Sequence, residues 1–281
     1  MPRTFRRRPV AAVFALALLS CYFLLPLWWL IVAATKNQAT LLNSPSLWFA
    51  HMQLAGNLGR LFGQDGDVFL RWIGNSLIYA GGGALLATAL SAMAGYALGI
   101  YAFRGREALF SVVIASVLIP VTVLSLPLFL LMSAVHLTGS YLSVLIPSVV
   151  SPFGVYLARI FAVDSVPVEL LEAGRIDGAG ELRLFATVGV RLMSPGLVTI
   201  FLFQFVTIWN NYFLPLVMLS DRKTFPVTLG LATWDSYSYH LPSYQTFVIT
   251  GAFVSVIPLL IAFLLLQRLW RAGLAAGGLK G

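Results

Sequence analysis

Charged residues are scarce in this sequence. Only 10% of its 281 residues are Asp, Glu, Lys or Arg, whereas 59% are hydrophobic. A soluble globular domain usually carries roughly a quarter charged residues, and a water-exposed surface cannot be built from so few. The mean hydropathy of +0.89 points the same way. The sequence therefore excludes a water-soluble globular protein and predicts a surface that faces lipid.

Cysteine and the residues of catalytic sites are scarce as well. The single cysteine, Cys21, lies inside an apolar run, so the chain has neither an internal disulfide nor a cysteine-based metal site. None of the lysines, Lys36, Lys223 and Lys280, belongs to a phosphate-binding loop of the form G-x-x-x-x-G-K-[ST]. We expect no catalytic residue, no metal ligand and no cofactor in this chain.

Six apolar stretches are present, and each is long enough to cross a bilayer. Crossing roughly 30 Å of hydrocarbon takes about 20 mostly apolar helical residues. The stretches are residues 10–34, 76–103, 108–132, 141–162, 195–219 and 246–270. They lack the alternation of barrel strands, and lipid tolerates only helices or closed barrels. The predicted fold class is an all-α integral membrane protein, in which residues 1–281 form one transmembrane domain of six helices.

The first stretch follows Arg6, Arg7 and Arg8, which is also the beginning of many secretory signal peptides. The apolar run is longer than the roughly 7 to 15 residues of a signal peptide and is rich in bulky Leu, Phe and Trp. An uncleaved spanning helix is therefore favoured over a cleaved signal.

The distribution of basic residues predicts the orientation. With the N-terminus inside, 13 of the 18 Lys and Arg residues fall in inner segments and 5 in outer ones. The inner set is Arg3, Arg6, Arg7, Arg8, Arg104, Arg106, Arg159, Arg175, Arg183, Arg191, Arg268, Arg271 and Lys280; the outer set is Lys36, Arg60, Arg71, Arg222 and Lys223. Cytoplasmic loops are enriched in these residues, so both termini are predicted in the cytoplasm. The net charge of +8 then reflects topology and not a nucleic-acid partner.

A long predicted cytoplasmic segment, residues 163–194 between helices four and five, has the pattern of a helix, a sharp turn and a second helix. Pro167 suits the first position of a helix, and Glu169 in the first turn is favourable for the helix dipole. Asp177-Gly178 is a strong turn signal. An apolar repeat at three-residue spacing from Leu182 predicts an amphipathic second helix. Such an exposed element is suited to insert into a cleft on a partner.

The same segment carries a family motif. Residues 172–179, Glu-Ala-Gly-Arg-Ile-Asp-Gly-Ala, resemble the EAA motif, E-A-A-x-x-x-G, of permease subunits in bacterial ATP-binding-cassette importers. In the sugar-importing branch this motif commonly reads E-A-A-x-x-D-G-A. Residues 71–77, 209–216 and 277–281 also look like this carbohydrate-uptake, maltose-type branch. The resemblance extends over nearly the whole chain. Within this branch, the chain is similar to the smaller of the two maltose-transporter permeases.

The resemblance implies a transport subunit, not an enzyme, in the bacterial cytoplasmic (inner) membrane. Its partners would be a second permease, two ATPase subunits that bind ATP and Mg²⁺, and an extracytoplasmic solute-binding protein. The coupling helix that docks on the ATPase would use Glu172, Ala173, Gly174, Asp177, Gly178 and Ala179. The chain departs from the family pattern at Gly174, where alanine is usual, and at Val190-Arg191, where Leu-Pro is common.

Neutral polar and aromatic residues at the fifth stretch are candidates for solute contacts. They are Gln204, Thr207, Trp209, Asn210, Asn211 and Tyr212. Gln204, Thr207 and Asn211 are spaced three and four apart, which predicts one shared helix face. Amide donors and aromatic rings suit the hydroxyls and apolar ring faces of a sugar. The alternative, which stays open, is that these amides hydrogen-bond a neighbouring helix.

Other functions also stay open at this point. A secondary transporter normally places ionisable or ion-coordinating groups near the membrane midplane and often contains an inverted repeat, and neither is evident. A membrane-embedded enzyme would need catalytic carboxylates or histidines inside spans that hold almost no ionisable residue. Within the importer class, the motif does not separate a sugar from a polyol, a glycerophospho-compound or a peptide.

Overall fold

The computed structural model describes residues 10–277, and within that range every regular element is helical. The helices are α1 (Val10–Ala34), α2 (Gln38–Asn43), α3 (Leu54–Gly63), α4 (Val68–Leu77), α5 (Gly83–Ile100), α6 (Arg106–Val117), α7 (Val121–Ala134), α8 (Tyr141–Ser148), α9 (Pro152–Ser165), α10 (Val168–Ile176), α11 (Glu181–Leu184), α12 (Val190–Trp209), α13 (Phe213–Met218), α14 (Val227–Ser238) and α15 (Tyr244–Gly277). The π-helical turns Ile78–Gly82 and Phe185–Gly189 join α4 to α5 and α11 to α12. The all-α prediction is confirmed. The inferences drawn from Arg3, Arg6, Arg7, Arg8 and Lys280 concern residues outside the described range.

Five helices in the described range are long and apolar enough to cross a membrane, and a bent pair would make a sixth span. The five are Ala12–Ala34, Val68–Ile100, Tyr141–Ser165, Glu181–Trp209 and Tyr244–Gln267. The bent pair consists of α6 and α7. A multi-pass membrane protein follows from these lengths, whereas the count of six depends on the bent pair.

The predicted third span, residues 108–132, is not one straight helix. α6 ends at Val117, α7 begins at Val121, and their axes differ by 103°. Pro120 precedes α7 in an extended conformation, with φ −61° and ψ 124°. A proline disfavours the helical conformation in the residue before it, so the helix is interrupted at Ile119. Hydropathy does not reveal the bend because both arms are apolar.

The first turns of α6 are attached to α9 by polar contacts. Glu107 Oε1 lies 2.8 Å from Arg159 Nη2 and 3.0 Å from Arg106 Nη2. The Arg159 guanidinium also lies 3.7 Å from the centroid of the Phe110 ring, which is a cation–π contact. This end of the bent pair is therefore fixed to the span Tyr141–Ser165.

The predicted fifth span, residues 195–219, is wrong at both ends. The helix runs from Glu181 to Trp209, with Pro195 inside it, and ends where Asn210 caps it. The amphipathic helix predicted from Leu182 is the beginning of this span and not a separate element. The first turns of this helix contain Glu181 and other charged residues. These residues weaken the apolar signal in the sequence, although the turns are helical. The second span likewise begins at Val68, not at residue 76.

Contacts divide the chain into two compact units. The first contains the described residues of Met1–Val68 and Leu231–Val256, and the second those of Phe69–Gly230 and Ile257–Gly281. In the first unit, Ala33, Ala34 and Ile249 form a small buried core. Asn57 secures the chain beyond α1, since its Nδ2 donates to the carbonyl of Ala34 at 2.8 Å and to that of Lys36 at 2.9 Å.

The second unit is built on α5, α9 and α12. Gly95 of α5 lies so close to α9 that a Cβ there would be 2.4 Å from Ala158 Cβ. Small residues allow such close approach between membrane helices. Towards the segment 166–180, Tyr96, Met193 and Leu171 belong to one buried cluster, so the core continues beneath that segment.

Residues 71–77, one of the runs that resemble the carbohydrate-uptake branch, hold a loop of the second unit. Trp72 Nε1 donates to the carbonyl of Arg222 at 2.8 Å, and Asn75 Nδ2 donates to that of Lys223 at 2.8 Å. Side-chain N–H groups of α4 thus serve as hydrogen-bond donors to the backbone carbonyls of the turn before α14. The run has a structural role in fixing that turn.

Candidate functional site

The segment with the EAA-like motif folds as a short helix, α10, that ends in a tight turn. α10 begins at Val168, directly after Pro167, which has an extended conformation with φ −64° and ψ 132°. Glu169 lies in its first turn and Arg175 in its last, and both charges interact favourably with the helix dipole. The predicted helix and its end at Ile176 are confirmed, with the start one residue later than predicted.

Gly178 makes the turn after α10 possible. Its φ is +80°, in the left-handed region that glycine adopts without steric penalty. The amide of Ala179 donates to the Gly174 carbonyl at 2.9 Å, and the amide of Gly178 donates to the Arg175 carbonyl at 3.0 Å. This pair of bonds is the Schellman motif, which satisfies the last carbonyls of a helix. Because no atom lies within 4 Å of the place of a Gly178 Cβ, the turn leaves this backbone accessible.

The inward side of α10 is anchored in the core of the second unit. Leu171 is fully buried, and Leu184 of α11 is 2% exposed in the same cluster. A Cβ on Gly174 would lie 2.4 Å from Leu184 Cδ2. The missing side chain at position 174, where the family pattern has alanine, therefore makes room for Leu184.

The outward side of the turn presents apolar side chains. Ile176 is 87% exposed and Leu182 is 79% exposed. Glu172 and Asp177 of the motif are exposed beside them. Large apolar residues gathered at one exposed tip and flanked by charge are typical of a surface that contacts another protein chain.

Glu181 connects α10 with two other elements. Its Oε1 accepts from Arg175 Nε at 2.7 Å, and its Oε2 accepts from Arg175 Nη2 at 3.2 Å and from the Tyr101 hydroxyl at 2.8 Å. Burial, together with the Glu181 hydrogen bond and charge, raises the pKa of Tyr101 to about 12. The hydrogen bond to Glu181 also raises the pKa of Arg175. At neutral pH both partners therefore keep the protons that they donate to this carboxylate.

Sequence reasoning did not single out Glu181, Tyr101 or Leu184. Arg175 and Glu181 are six residues apart, which is not a spacing that brings side chains together on one helix. Tyr101 is 80 residues from Glu181 in the chain. The only available signal was opposite charge on the two sides of a predicted turn.

The six candidates for solute contact do not share one surface. α12 ends at Trp209, so the face predicted for Gln204, Thr207 and Asn211 does not continue to Asn211. Gln204 is buried, whereas Thr207 is exposed. The shared face was a wrong prediction because the helix stops before its last member.

Two of the candidates are occupied in packing. The Gln204 amide donates to the Ser151 hydroxyl at the start of α9, which is the interhelical bond of the alternative hypothesis. Trp209 is 2% exposed, and its ring stacks on Phe205 with centroids 5.8 Å apart.

The other four lie around the end of α12. Thr207, Asn210 and Tyr212 have exposed side chains. The backbone carbonyl of Asn211 accepts from the Thr228 hydroxyl at 2.9 Å, which ties the break to α14. A role of any of these residues in solute contact stays a prediction.

Known proteins resemble this chain over most of its length. One relative, the arabinooligosaccharides transport system permease protein AraQ of Halalkalibacterium halodurans, is 34% identical over 91% of this chain and 91% of its own. AraQ of Bacillus subtilis is 30% identical over 98% of this chain and 99% of its own. The lactose transport system permease protein LacG of Rhizobium radiobacter is 27% identical over 98% of both chains. These relatives are transport permeases and not enzymes.

A solved structure and a family profile complete the comparison. A chain in the crystal structure of a bacterial ABC transporter involved in the import of the acidic polysaccharide alginate has a TM-score of 0.79 and 21% identity, covering 95% of this chain and 98% of that one. This likeness supports the fold. Residues 91–274 match the family described as the binding-protein-dependent transport system inner membrane component. The resemblance seen in residues 172–179 is thereby confirmed, and the chain belongs to this family of inner-membrane transport subunits.

Proposed function

We propose that this chain is one of two permease subunits of an ATP-driven importer and forms half of the pathway for a sugar or oligosaccharide. The observation that carries the proposal is the turn after α10, where the EAA-like motif coincides with exposed Ile176 and Leu182. The cargo is supported by the names of the relatives, which refer to arabinooligosaccharides and lactose. The partners would be a second permease, two ATPase chains that hold ATP and Mg²⁺, and an extracytoplasmic solute-binding protein.

In this mechanism the turn is a mechanical contact. Closure of the ATPase pair around ATP would move the docked turn, and the core containing Leu171 and Leu184 would pass that movement to α5, α9 and α12. ATP can shift the transporter between inward- and outward-facing states only through different affinity for the two. The chain would cross the membrane six times, with the bent pair as its third span and both termini in the cytoplasm.

We assign solute contact to the exposed side chains near the end of α12, those of Thr207, Asn210 and Tyr212. Gln204 and Trp209 are buried, so their contribution is to hold α12 in place. Asn211 fixes the break that follows. A hydroxyl, an amide and an aromatic ring together suit an uncharged sugar.

The docking role is tested by Gly178→Asp, with Gly178→Asn as its matched control. Both residues tolerate a positive φ better than other side chains and have nearly the same shape, so they differ chiefly in charge. We expect Gly178→Asp to reduce co-purification of the ATPase at least about tenfold, since 1.4 kcal/mol of conflict in the groove already corresponds to that factor. Gly178→Asn should retain a larger share.

Uptake is measured in the same cells with radiolabelled arabinotriose, lactose and raffinose. Accumulation of one of these by the unmodified importer, and its loss in Gly178→Asp, is the expected result. Wild-type uptake in Gly178→Asp would contradict the docking role. Accumulation of a polyol in place of all three sugars would keep the importer and change the cargo.

A further inference from the structure

Three polar contacts meet at the carboxylate of Glu181. Arg175, in the last turn of α10, donates to both of its oxygens, and Tyr101 donates to Oε2. Glu181 is the first residue of the span Glu181–Trp209, and Tyr101 directly follows the span Val68–Ile100. One side chain therefore joins α10 to the same-side ends of two membrane helices.

The apolar anchor of α10 does not by itself fix the direction of its end. Leu171 contacts the core near the middle of the helix and Leu184 packs against Gly174 in its last turn, but apolar contacts are non-directional. The two parallel bonds between the Arg175 guanidinium and the Glu181 carboxylate are planar and directional. They lie next to the turn, where a partner would push.

The Tyr101 side chain, which donates to Glu181, packs against other aromatic rings. The Tyr101 ring meets the ring of Tyr96 edge-on, with centroids 5.8 Å apart and an angle of 84°. Tyr96 is 2% exposed and contacts the Phe185 ring with centroids 5.0 Å apart. These ring contacts connect Tyr101, which donates to Glu181, with the end of α5 and with the π-helical turn before α12.

We propose that Glu181 is a positioning residue that locks the orientation of α10 to the second span and to the span that starts at Glu181. Movement of the docked turn then rotates these helices and is not absorbed by tilting of α10 alone. The inference rests on the proposed function, because it concerns how the docked turn passes on its movement. Glu181 lies outside the motif residues 172–179, so docking and transmission are separable.

The test uses the whole importer, purified with its second permease and ATPase and reconstituted into lipid vesicles, whose sugar uptake is measured in the presence of the solute-binding protein. In a Cys21→Ser background, spin labels are attached through Arg104→Cys and Val168→Cys, both exposed positions. Glu181→Ala removes all three contacts, and Tyr101→Phe removes one of them without touching α10. Arg183→Gln is the control, because it removes a charge from an exposed side chain in the same helix.

We expect one narrow distance distribution in the parent protein and in Arg183→Gln. In Glu181→Ala the distribution should widen at least about twofold, and the ATP consumed per sugar imported should rise at least about threefold. Tyr101→Phe should lie between the two. The charge exchange Arg175→Glu with Glu181→Arg should restore a narrow distribution, which a merely destabilised fold would not do.

The outcomes separate the inference from the proposed function. The ATPase should still co-purify with Glu181→Ala; if it is lost, Glu181 acts in docking and the positioning role is wrong. If Glu181→Ala keeps the parent distance and ATP ratio while Gly178→Asp releases the ATPase, only the positioning role is wrong. If Gly178→Asp retains both the ATPase and uptake, the docking proposal is wrong.

Discussion

Gly174 shows how one missing side chain shapes α10 and the turn that follows it. In a helix interior, glycine is about 1 kcal/mol less favourable than alanine. Here the space that an alanine Cβ would take is filled by Leu184 Cδ2, and Leu184 is buried. Burying a leucine side chain contributes roughly 1.5–3 kcal/mol, which offsets the weaker helix propensity. The departure from the family pattern at this position is therefore compensated by packing.

This balance predicts that Gly174→Ala has opposite effects on the stability of the protein with and without the Leu184 side chain. Gly174→Ala alone should destabilise the protein by about 1 kcal/mol, because overpacking costs about 1–3 kcal/mol and alanine returns about 1 kcal/mol. In a Leu184→Ala background the same change should stabilise it by up to about 1 kcal/mol. Thermal unfolding of the detergent-purified importer measures both. An equal effect of Gly174→Ala in the two backgrounds would show that positions 174 and 184 are not coupled.

At the scale of elements, the packing of α5 on α9 depends on backbone approach. A Cβ on Gly95 would lie 2.4 Å from Ala158 Cβ and 2.6 Å from the backbone nitrogen of Arg159. A flexible side chain can move aside, but a helix backbone cannot do so without shifting its neighbours. Gly82, in the π-helical turn that leads into α5, has no atom within 4 Å of the place of its Cβ.

We therefore expect Gly95→Ala to separate α5 from α9 and Gly82→Ala to be tolerated. Overpacking of this kind costs about 1–3 kcal/mol and sometimes more. Gly95→Ala should lower the yield of monodisperse protein in size-exclusion chromatography and its melting temperature, whereas Gly82→Ala should change neither. Parent-like behaviour of Gly95→Ala would mean that the two helices are less closely packed than in this structure.

The element boundaries also show which parts of the fold follow from the sequence. The first span is found at Val10–Ala34, as predicted, because one apolar run coincides with one helix. The bend after α6 was not predictable from proline alone, since Pro120 interrupts a helix while Pro127 and Pro195 lie inside helices. Hydropathy does not separate these cases either, because both arms of the bent pair are apolar.

Some features of the candidate site also follow from the local sequence, whereas others depend on contacts between distant parts of the chain. The turn after α10 follows from local chemistry, because Gly178 directly after Asp177 can adopt the left-handed conformation that ends a helix. The surroundings of Gln204 depend on Ser151, 53 residues away, and on the end of α12. The Glu181 contacts likewise join distant parts of the chain. Local signals predicted the turn after α10, but tertiary contacts decide which polar residues remain exposed.

At the scale of the whole molecule, the topology depends on the bent pair. α6 and α7 contain 12 and 14 residues, which gives lengths of about 18 and 21 Å. Neither arm alone crosses roughly 30 Å of hydrocarbon. If the pair crosses as one broken span, six spans leave both termini on the same side, in agreement with the excess of basic residues in the inner segments. If it re-enters, five spans leave the termini on opposite sides.

Single cysteines at the two ends of the pair distinguish these topologies. In a Cys21→Ser background, Arg104→Cys lies before α6 and Thr138→Cys lies after α7. If the pair crosses, a membrane-impermeant maleimide added to intact cells should label position 138 and should label position 104 only after the cells are opened. Arg183→Cys, in α11, serves as the reference for the predicted inner side. Labelling of positions 104 and 138 from the same side would establish a re-entrant pair. The prediction that both termini lie in the cytoplasm would then be wrong. The positive charge at Arg104, Arg106 and Arg159 favours the crossing arrangement, because it would place all three on the cytoplasmic side of the bilayer.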